Sequence, residues 1–358
     1  MPNTRTLRTI RRAALLLAVA LVAAACSAGQ GGGASAAPPR SAGLVFDANG
    51  LGDLQFNDSA YKGLTEAREE FRDGLEISYK EPDNKASNSP VLVDKMIAEK
   101  VNLVIGVGFA FSETMPAQAK AHPGTRFAIV DGFGCEAANL RCIVFRENEG
   151  GFLIGVLAGL KTKTGTVGFI GGTQVSAVTK LDAGFRAGAA WAAKERKRPI
   201  KVLVDYAAPG QDVKGFIDRP KGRQLASKQI DEGADVIFQG AGVTGLGVIE
   251  QAAKEHAWVV GVDSDQSLSA SPAERQWILT SLLKRVDNAV KRSVSDYVQG
   301  RFQGGSQSFG LKEGGLDYAI NVYNREHLGD IPDTLEKIKP EIIAGRIKVP
   351  ETPPGLKS

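Results

Sequence analysis

The sequence predicts an α/β protein whose parallel sheets are covered by helices on both faces. Three observations carry that prediction. Short apolar runs alternate with longer stretches of helical spacing through most of the chain. The runs lack the in-and-out alternation of a half-exposed sheet, as strands buried on both faces do. Several of them end on polar or small residues: Asp47, Asp131, Asp205, Gly240 and Asp263. Ligands of such sheets collect beyond the carboxyl ends of the strands.

In chain order, Gly43–Asp47 is a short apolar run ending in Asp, and Ala60–Arg72 has helical spacing. Glu76–Tyr79 is predicted as a strand, Val91–Lys100 as a helix, and Leu103–Gly108 and Phe127–Asp131 as strands. Glu149–Leu160 reads as a helix, and the theme restarts. Strands are predicted at Thr166–Ile170, Lys201–Tyr206, Asp235–Gln239 and Trp258–Asp263. Helices are predicted at Leu181–Glu195, Lys221–Glu232 and Gly247–His256. A helix at Val286–Val298, a strand-rich tail to Ile320 and a last helix at Leu335–Ala344 complete the pattern. It divides into two α/β units of similar build, joined near residues 146–150.

The N-terminus has a different character. Arg5, Arg8, Arg11 and Arg12 precede an apolar run from Ala13 to Ala25. That run is shorter than the roughly 20 residues a membrane span needs, and the pattern reads as a secretory signal over residues 1–25. It stops at Ala23-Ala24-Ala25-Cys26, which resembles a lipobox with Cys26 as the acylated residue. Ala23 departs from the Leu usual in that motif, so ordinary cleavage nearby is the alternative. Residues 26–41 are rich in Gly, Ser, Ala and Pro and are expected to act as a flexible tether. The expected place is the cell membrane, lipid-anchored on the extracytoplasmic face. Arg11-Arg12 leaves Sec and Tat export both open.

Composition excludes several functions. The chain carries 44 Lys and Arg against 40 Asp and Glu. Setting aside the four signal arginines leaves a neutral balance, with no nucleic-acid footprint. Cys135 and Cys142 form either a loop disulfide or a pair of free thiols in an oxidising compartment. The three histidines, His122, His256 and His327, are scattered, and neither they nor the cysteines have metal-site spacing. No G-x-S-x-G or H-E-x-x-H motif supports hydrolysis. The chain is therefore read as having no catalytic residues, no cofactor and no metal.

A series of short motifs then carries a family resemblance. They include Gly52-Asp53-Leu54-Gln55-Phe56-Asn57-Asp58-Ser59, Ile129-Val130-Asp131-Gly132, Glu149-Gly150-Gly151-Phe152-Leu153-Ile154-Gly155 and Val167-Gly168-Phe169-Ile170-Gly171-Gly172. Phe216-Ile217-Asp218, Ala241-Gly242-Val243-Thr244-Gly245, Gly261-Val262-Asp263-Ser264-Asp265-Gln266 and Thr280-Ser281-Leu282-Leu283-Lys284 follow in order. Together they resemble the basic membrane protein family of substrate-binding lipoproteins, which includes purine nucleoside receptors of ABC transporters.

The resemblance implies a type I periplasmic-binding fold, two Rossmann-like lobes with a ligand cleft between them. Lobe 1 would comprise residues 42–147 plus about 280–303, and lobe 2 residues 148–279 plus about 304–358. It implies that Phe56 and Phe216 sandwich a base, that Asn57 and Asp131 meet the base edge, and that Asp47 lines the same end. Asp263 would accept from ribose hydroxyls, Lys284 would donate to them, and Gly242 would let backbone approach the ligand. Gln55 departs from the Ser common at its position, which bears on base preference. The implied partners are a nucleoside, an ABC permease and its ATPase, and the membrane through the anchor, with the binding protein a monomer.

The same residues support a rival. Gly240, Gly242 and Gly245 fit G-x-G-x-x-G after a strand, with Asp263 ending the next strand. An exported NAD-dependent oxidoreductase is one alternative, and a small-metabolite sensor on the same fold is another.

Overall fold

The computed structural model of the chain describes residues 40–83 and 89–355. The signal segment, Cys26 and the tether up to residue 39 lie outside these residues. Arg40 and Ser41, expected in the tether, open the first strand instead. Its start is held there by the Ser41 N–H donating to Asn102 Oδ1 at 3.1 Å.

Two six-stranded sheets organise the fold. The first contains β1 (Arg40–Val45), β2 (Leu75–Lys80), β3 (Leu103–Val107), β4 (Arg126–Val130), β5 (Leu140–Phe145) and, much later, β11 (Gly305–Phe309). The second contains β6 (Thr166–Gly171), β7 (Lys201–Tyr206), β8 (Val236–Gly240), β9 (Trp258–Asp263), β10 (Ile278–Lys284) and β12 (Leu316–Tyr318). The orders are β2-β1-β3-β4-β5-β11 and β7-β6-β8-β9-β10-β12, the same arrangement twice. Among the described residues only the β10–β12 pairing is antiparallel.

Burial explains why these runs are strands. Leu103–Val107 reads Leu-Val-Ile-Gly-Val and is buried throughout. Leu103, Ile105 and Val107 pack with Leu44, Leu64 and Val290 on one face, while Val104 packs with Val45, Met96 and Phe127 on the other. Successive side chains point to opposite faces, so a strand buried on both needs helices on both. Helices α1 (Phe56–Phe71), α2 (Ser89–Ala98) and α3 (Met115–Ala121) come from the first half of the chain. The second sheet is flanked by α4 (Glu147–Lys161), α5 (Ser176–Arg196), α6 (Arg219–Asp231) and α7 (Gly242–Lys254). The short α8 (Pro272–Arg275), then α9 (Val286–Val298), α10 (Arg325–Leu328) and α11 (Ile331–Ile343), complete the fold.

The glycines of the Glu149–Gly155 motif have a packing reason. A Cβ on Gly155 would lie 2.1 Å from the Phe185 carbonyl oxygen. One on Gly188 would lie 2.1 Å from that of Phe152. Helices α4 and α5 therefore touch backbone to backbone.

The sheet assignments locate the chain crossings. β10 belongs to the second sheet and β11 to the first. The chain thus crosses between Lys284 and Val286 and returns between Phe309 and Leu316. The apolar run Ile278–Leu283 pairs with β9 before the chain leaves, while β11, Gly-Ser-Gln-Ser-Phe, is an edge strand with little apolar signal. Strands β5 and β10 and helix α3 were not predicted. Cys135 and Cys142 are bonded to each other, tying the loop after β4 to β5 with Cα atoms 5.6 Å apart. Among the described residues no helix is long and apolar enough to cross a membrane, and no three His, Cys, Asp or Glu side chains are placed to hold a metal.

Candidate functional site

The carboxyl ends of both sheets open on one cleft of about 990 Å³, its open mouth included. That is the upper end of the range for small-molecule sites. From the first half come Asp47 after β1, Phe56 opening α1, Gly108 and Phe109 after β3, and Asp131 after β4. From the second come Phe216, Gly242 opening α7, Asp263 ending β9 and Lys284 ending β10. Seven of the eight residues named from the resemblance thus line one cavity.

Backbone geometry helps place them. Asp131 and Asp263 both adopt left-handed conformations, with φ of 57° and 68°. Asp tolerates that region better than bulky residues, and such positions concentrate at functional sites. Gly242 has φ of 55°, and a Cβ there would come within 3.2 Å of the Phe216 carbonyl oxygen.

Asn57 is the residue that does not reach the cleft. It is wholly buried, and its amide is committed to its neighbours. Nδ2 donates to Asp47 Oδ1 at 2.7 Å and to Asp53 Oδ2 at 3.0 Å, and Oδ1 accepts the Asp47 N–H at 3.3 Å. Its structural work is to orient Asp47. Asp53 in turn takes the N–H groups of Gln55, Asn57 and Asp58, satisfying the start of α1 where Gln55 supplies no side-chain cap.

Lys284 is bonded to carboxylates of the protein. Its ammonium lies 2.8 and 2.7 Å from the two Asp131 oxygens and 3.0 Å from Glu147 Oε1. The Phe145 and Phe56 ring centroids lie 4.8 and 5.5 Å away. Burial alone would lower the lysine, but Asp131, Glu147 and Asp263 outweigh it and hold the ammonium above its ordinary range. Burial pushes Asp263 up to about 7; Lys284 opposes the rise, and Asp131, Asp53 and Asp47 add to it. Burial likewise raises Asp47 to about 6, against the bonds from Asn57 and Asn49. Glu147 is raised by burial and pulled back by Lys284.

Phe109 and Glu147 are among the lining residues that the sequence did not single out. Phe109 tilts against Phe216, ring centroids 6.4 Å apart, and packs on the apolar core of the second half. The Val-Gly-Phe at the end of β3 was its signal. Glu147 is buried at the first turn of α4, two residues before the motif that was singled out. Across the cleft, Ser264 Oγ donates to the Leu54 carbonyl at 2.6 Å.

The G-x-G-x-x-G turn follows β8 and opens α7, but protein fills it. The Phe216 carbonyl covers Gly242, and a Cβ at Gly245 would sit 1.9 Å from Gln239 Oε1. Gln239 is itself fixed, accepting the Ala241 N–H at 3.0 Å and donating to Gln266 at 2.7 Å. The backbone approach that a pyrophosphate requires is taken.

Comparison with known proteins is decisive about kinship. The family described as ABC transporter substrate-binding protein PnrA-like, Bmp, matches residues 41–352. The chain belongs to the Bmp family. This Bmp chain is 34% identical over 325 residues to a Lactococcus lactis protein named ABC transporter nucleoside-binding protein BmpA, covering 86% of this chain and 88% of that one. It is 32% identical over 319 residues to basic membrane protein D of Borreliella burgdorferi, covering 87% and 88%. Among solved structures it resembles an ABC transporter solute-binding protein of Aeropyrum pernix K1. The TM-score is 0.75 at 27% identity, over 87% of this chain and 93% of that one. The Bmp chain accordingly has the periplasmic-binding-protein fold implied by its motifs.

Proposed function

We propose that this Bmp protein is the extracytoplasmic solute-binding component of an ABC importer, that its solute is a nucleoside, and that the base is a purine. The single observation that carries the solute class is the pairing within one cleft of aromatic faces with acidic hydrogen-bond acceptors. Phe56 and Phe216 offer flat surfaces for a base, and stacking contributes roughly 1–3 kcal/mol per base in nucleic-acid complexes. Asp47, Asp131 and Asp263, when ionised, accept and do not donate, which suits ring N–H, amino and sugar hydroxyl donors.

In this reading Phe56 and Phe216 flank the base, Asp131 and Asp47 meet its edge, and Asp263 takes the ribose hydroxyls. Gly242 lines the cleft beside Phe216. Bending at the crossings between the sheets closes the two halves over it. Cys26 carries the lipid that holds the monomeric protein beside its permease and ATPase. The protein binds and delivers its solute and transforms nothing. The similarity to the Lactococcus protein named as nucleoside-binding supports the solute class.

Calorimetry of the mature chain against a panel of nucleosides, nucleobases, sugars and NAD tests the reading. Purine nucleosides should bind with one site and raise the melting temperature, since they bind only the native state. Sugar binding without a nucleoside response would overturn it. Acylation of Cys26 is tested separately by metabolic labelling with a fatty acid, which a Cys26→Ser variant should lose.

A further inference from the structure

Phe133 lines the cleft together with Phe56, Phe109 and Phe216, but its surroundings differ from theirs. Phe109 and Phe216 tilt against each other and pack on the core of the second half, and Phe56 packs on the core of the first. Phe133 is 53% exposed and belongs to none of the apolar clusters. A single exposed apolar side chain is ordinary on an open surface. Phe133 is set apart by its place inside the cleft, two residues after Asp131.

The backbone keeps the ring there. The Asp131 N–H donates to the Ile143 carbonyl at 2.8 Å, which ends β4 in register with β5. A Cβ on Gly132 would lie 2.6 Å from Ile129 Cβ, so the chain folds back tightly over the strand it has just left. The Phe133 N–H then donates at 3.0 Å to Oγ of the buried Ser112, in the turn Phe109–Glu113 after β3. Gly134 follows in a left-handed conformation, with φ of 71°. Phe111, Phe127 and Met115 fill the core of this half, where the ring has no place. The two halves are already joined across the cleft by the Ser264–Leu54 bond. This closure leaves the ring uncovered, so the cover that fits it is a solute in the cleft.

We propose that Phe133 is a specificity-determining residue whose ring covers the outer edge of the base beyond Asp131 and selects a two-ring base over a one-ring base. The inference rests on the nucleoside reading above. With the sugar held near Asp263, a purine carries its hydrogen-bonding edge farther from the sugar than a pyrimidine does. The larger base therefore reaches Phe133 and removes apolar area on both rings from water, whereas the smaller one leaves Phe133 wet. Aromatic rings also favour tilted and edge-to-face contacts. The contact needs no hydrogen bond, so the discrimination it supplies is graded.

The test is calorimetric titration of the mature chain with adenosine and with cytidine, for the wild type, Phe133→Leu and Phe133→Ala, beside thermal melts of each. Phe133→Ala should weaken adenosine binding about five- to tenfold, the return expected from covering half of a Phe side chain. Cytidine binding should weaken by less than about twofold. Phe133→Leu keeps much of the apolar area and should fall between wild type and Phe133→Ala. Unchanged adenosine affinity in Phe133→Ala, or an equal loss for both nucleosides, would overturn the proposal, since a merely structural role gives the equal loss. A second readout does not depend on cytidine. In Phe133→Trp, adenosine should shift the emission of the added indole to shorter wavelength, read as the difference from wild type; an unmoved emission would overturn the contact. A wild type that binds neither nucleoside would overturn the nucleoside reading and this proposal with it, a result distinct from an unmoved adenosine-to-cytidine ratio.

Discussion

Solute affinity should fall steeply as the pH drops through neutrality, and Asp263 should be the cause. Burial raises its carboxyl to about 7 in the free protein. In the proposed complex a sugar hydroxyl donates to the carboxylate, so binding would hold that group ionised and expel a proton. Between about pH 8 and about pH 5.5, the fraction of free protein with Asp263 ionised falls about 30-fold, so affinity should fall by the same factor, about 2 kcal/mol. Water at the cleft mouth reaches the half-buried Asp263 side chain and makes this an upper figure. Near pH 7 about half a proton should be released per nucleoside bound. Titrations in buffers of different ionisation enthalpy measure that number directly.

The stability of the empty protein should run the other way. A folded-state pKa above the unfolded value means that the native state binds the proton more tightly. The stabilisation is complete below the ordinary carboxylate pKa and is lost as the pH rises through about 7. Acidification should therefore stabilise the empty protein against urea through this group while weakening its binding. Asp263→Asn should flatten both trends. Affinity that stays level from about pH 5.5 to about pH 8, or a slope that survives in Asp263→Asn, would refute the assignment.

Three further outcomes follow from the geometry. Phe56→Ala and Phe216→Ala should each weaken nucleoside binding by roughly 1–3 kcal/mol without unfolding the chain; calorimetry beside a thermal melt checks both, and unchanged affinity in both would remove the base sandwich. Ser264→Ala deletes the bond to the Leu54 carbonyl, which should weaken affinity by at most about tenfold and shift the halves toward opening in small-angle scattering. Replacing both Cys135 and Cys142 by Ser opens a loop of sequence separation 7, which should cost about 2–3 kcal/mol in urea unfolding and leave solute affinity unchanged.

How much was legible in the sequence depended on which physical signal each residue carries. Buried strands such as Leu103–Val107 announce themselves as apolar runs, and the polar residues at their ends point to the cleft. Lys201–Tyr206, Trp258–Asp263 and Val286–Val298 were placed to the residue. Helix starts came out late: α5 opens at Ser176 and α7 at Gly242, because their first turns line the cleft and lack the apolar spacing of a packed face. β11 was hidden because Gly305–Phe309 is a polar edge strand whose partner, β5, lies far back in the chain. No local pattern encodes that pairing.

The site shows a deeper limit. Sequence can nominate Asp131, Lys284 and Asn57 as polar residues near a strand end or helix start, but it cannot say where their bonds are spent. Asn57 is turned inward because Asp47 and Asp53 compete for its amide ahead of any solute. Lys284 is engaged because two carboxylates reach it, one of them at a chain crossing that the sequence left without a site residue. Three carboxyl groups around one ammonium leave the site short of positive charge. Burial is the main cause of the raised Asp263, and the neighbouring carboxylates add to it against Lys284. A neutral solute rich in N–H and O–H groups would relieve the shortage through hydrogen bonds, whereas a negatively charged solute would deepen it. In the nucleoside reading, the charge balance of the cleft favours a sugar-bearing base, and that balance exists only where both halves contribute.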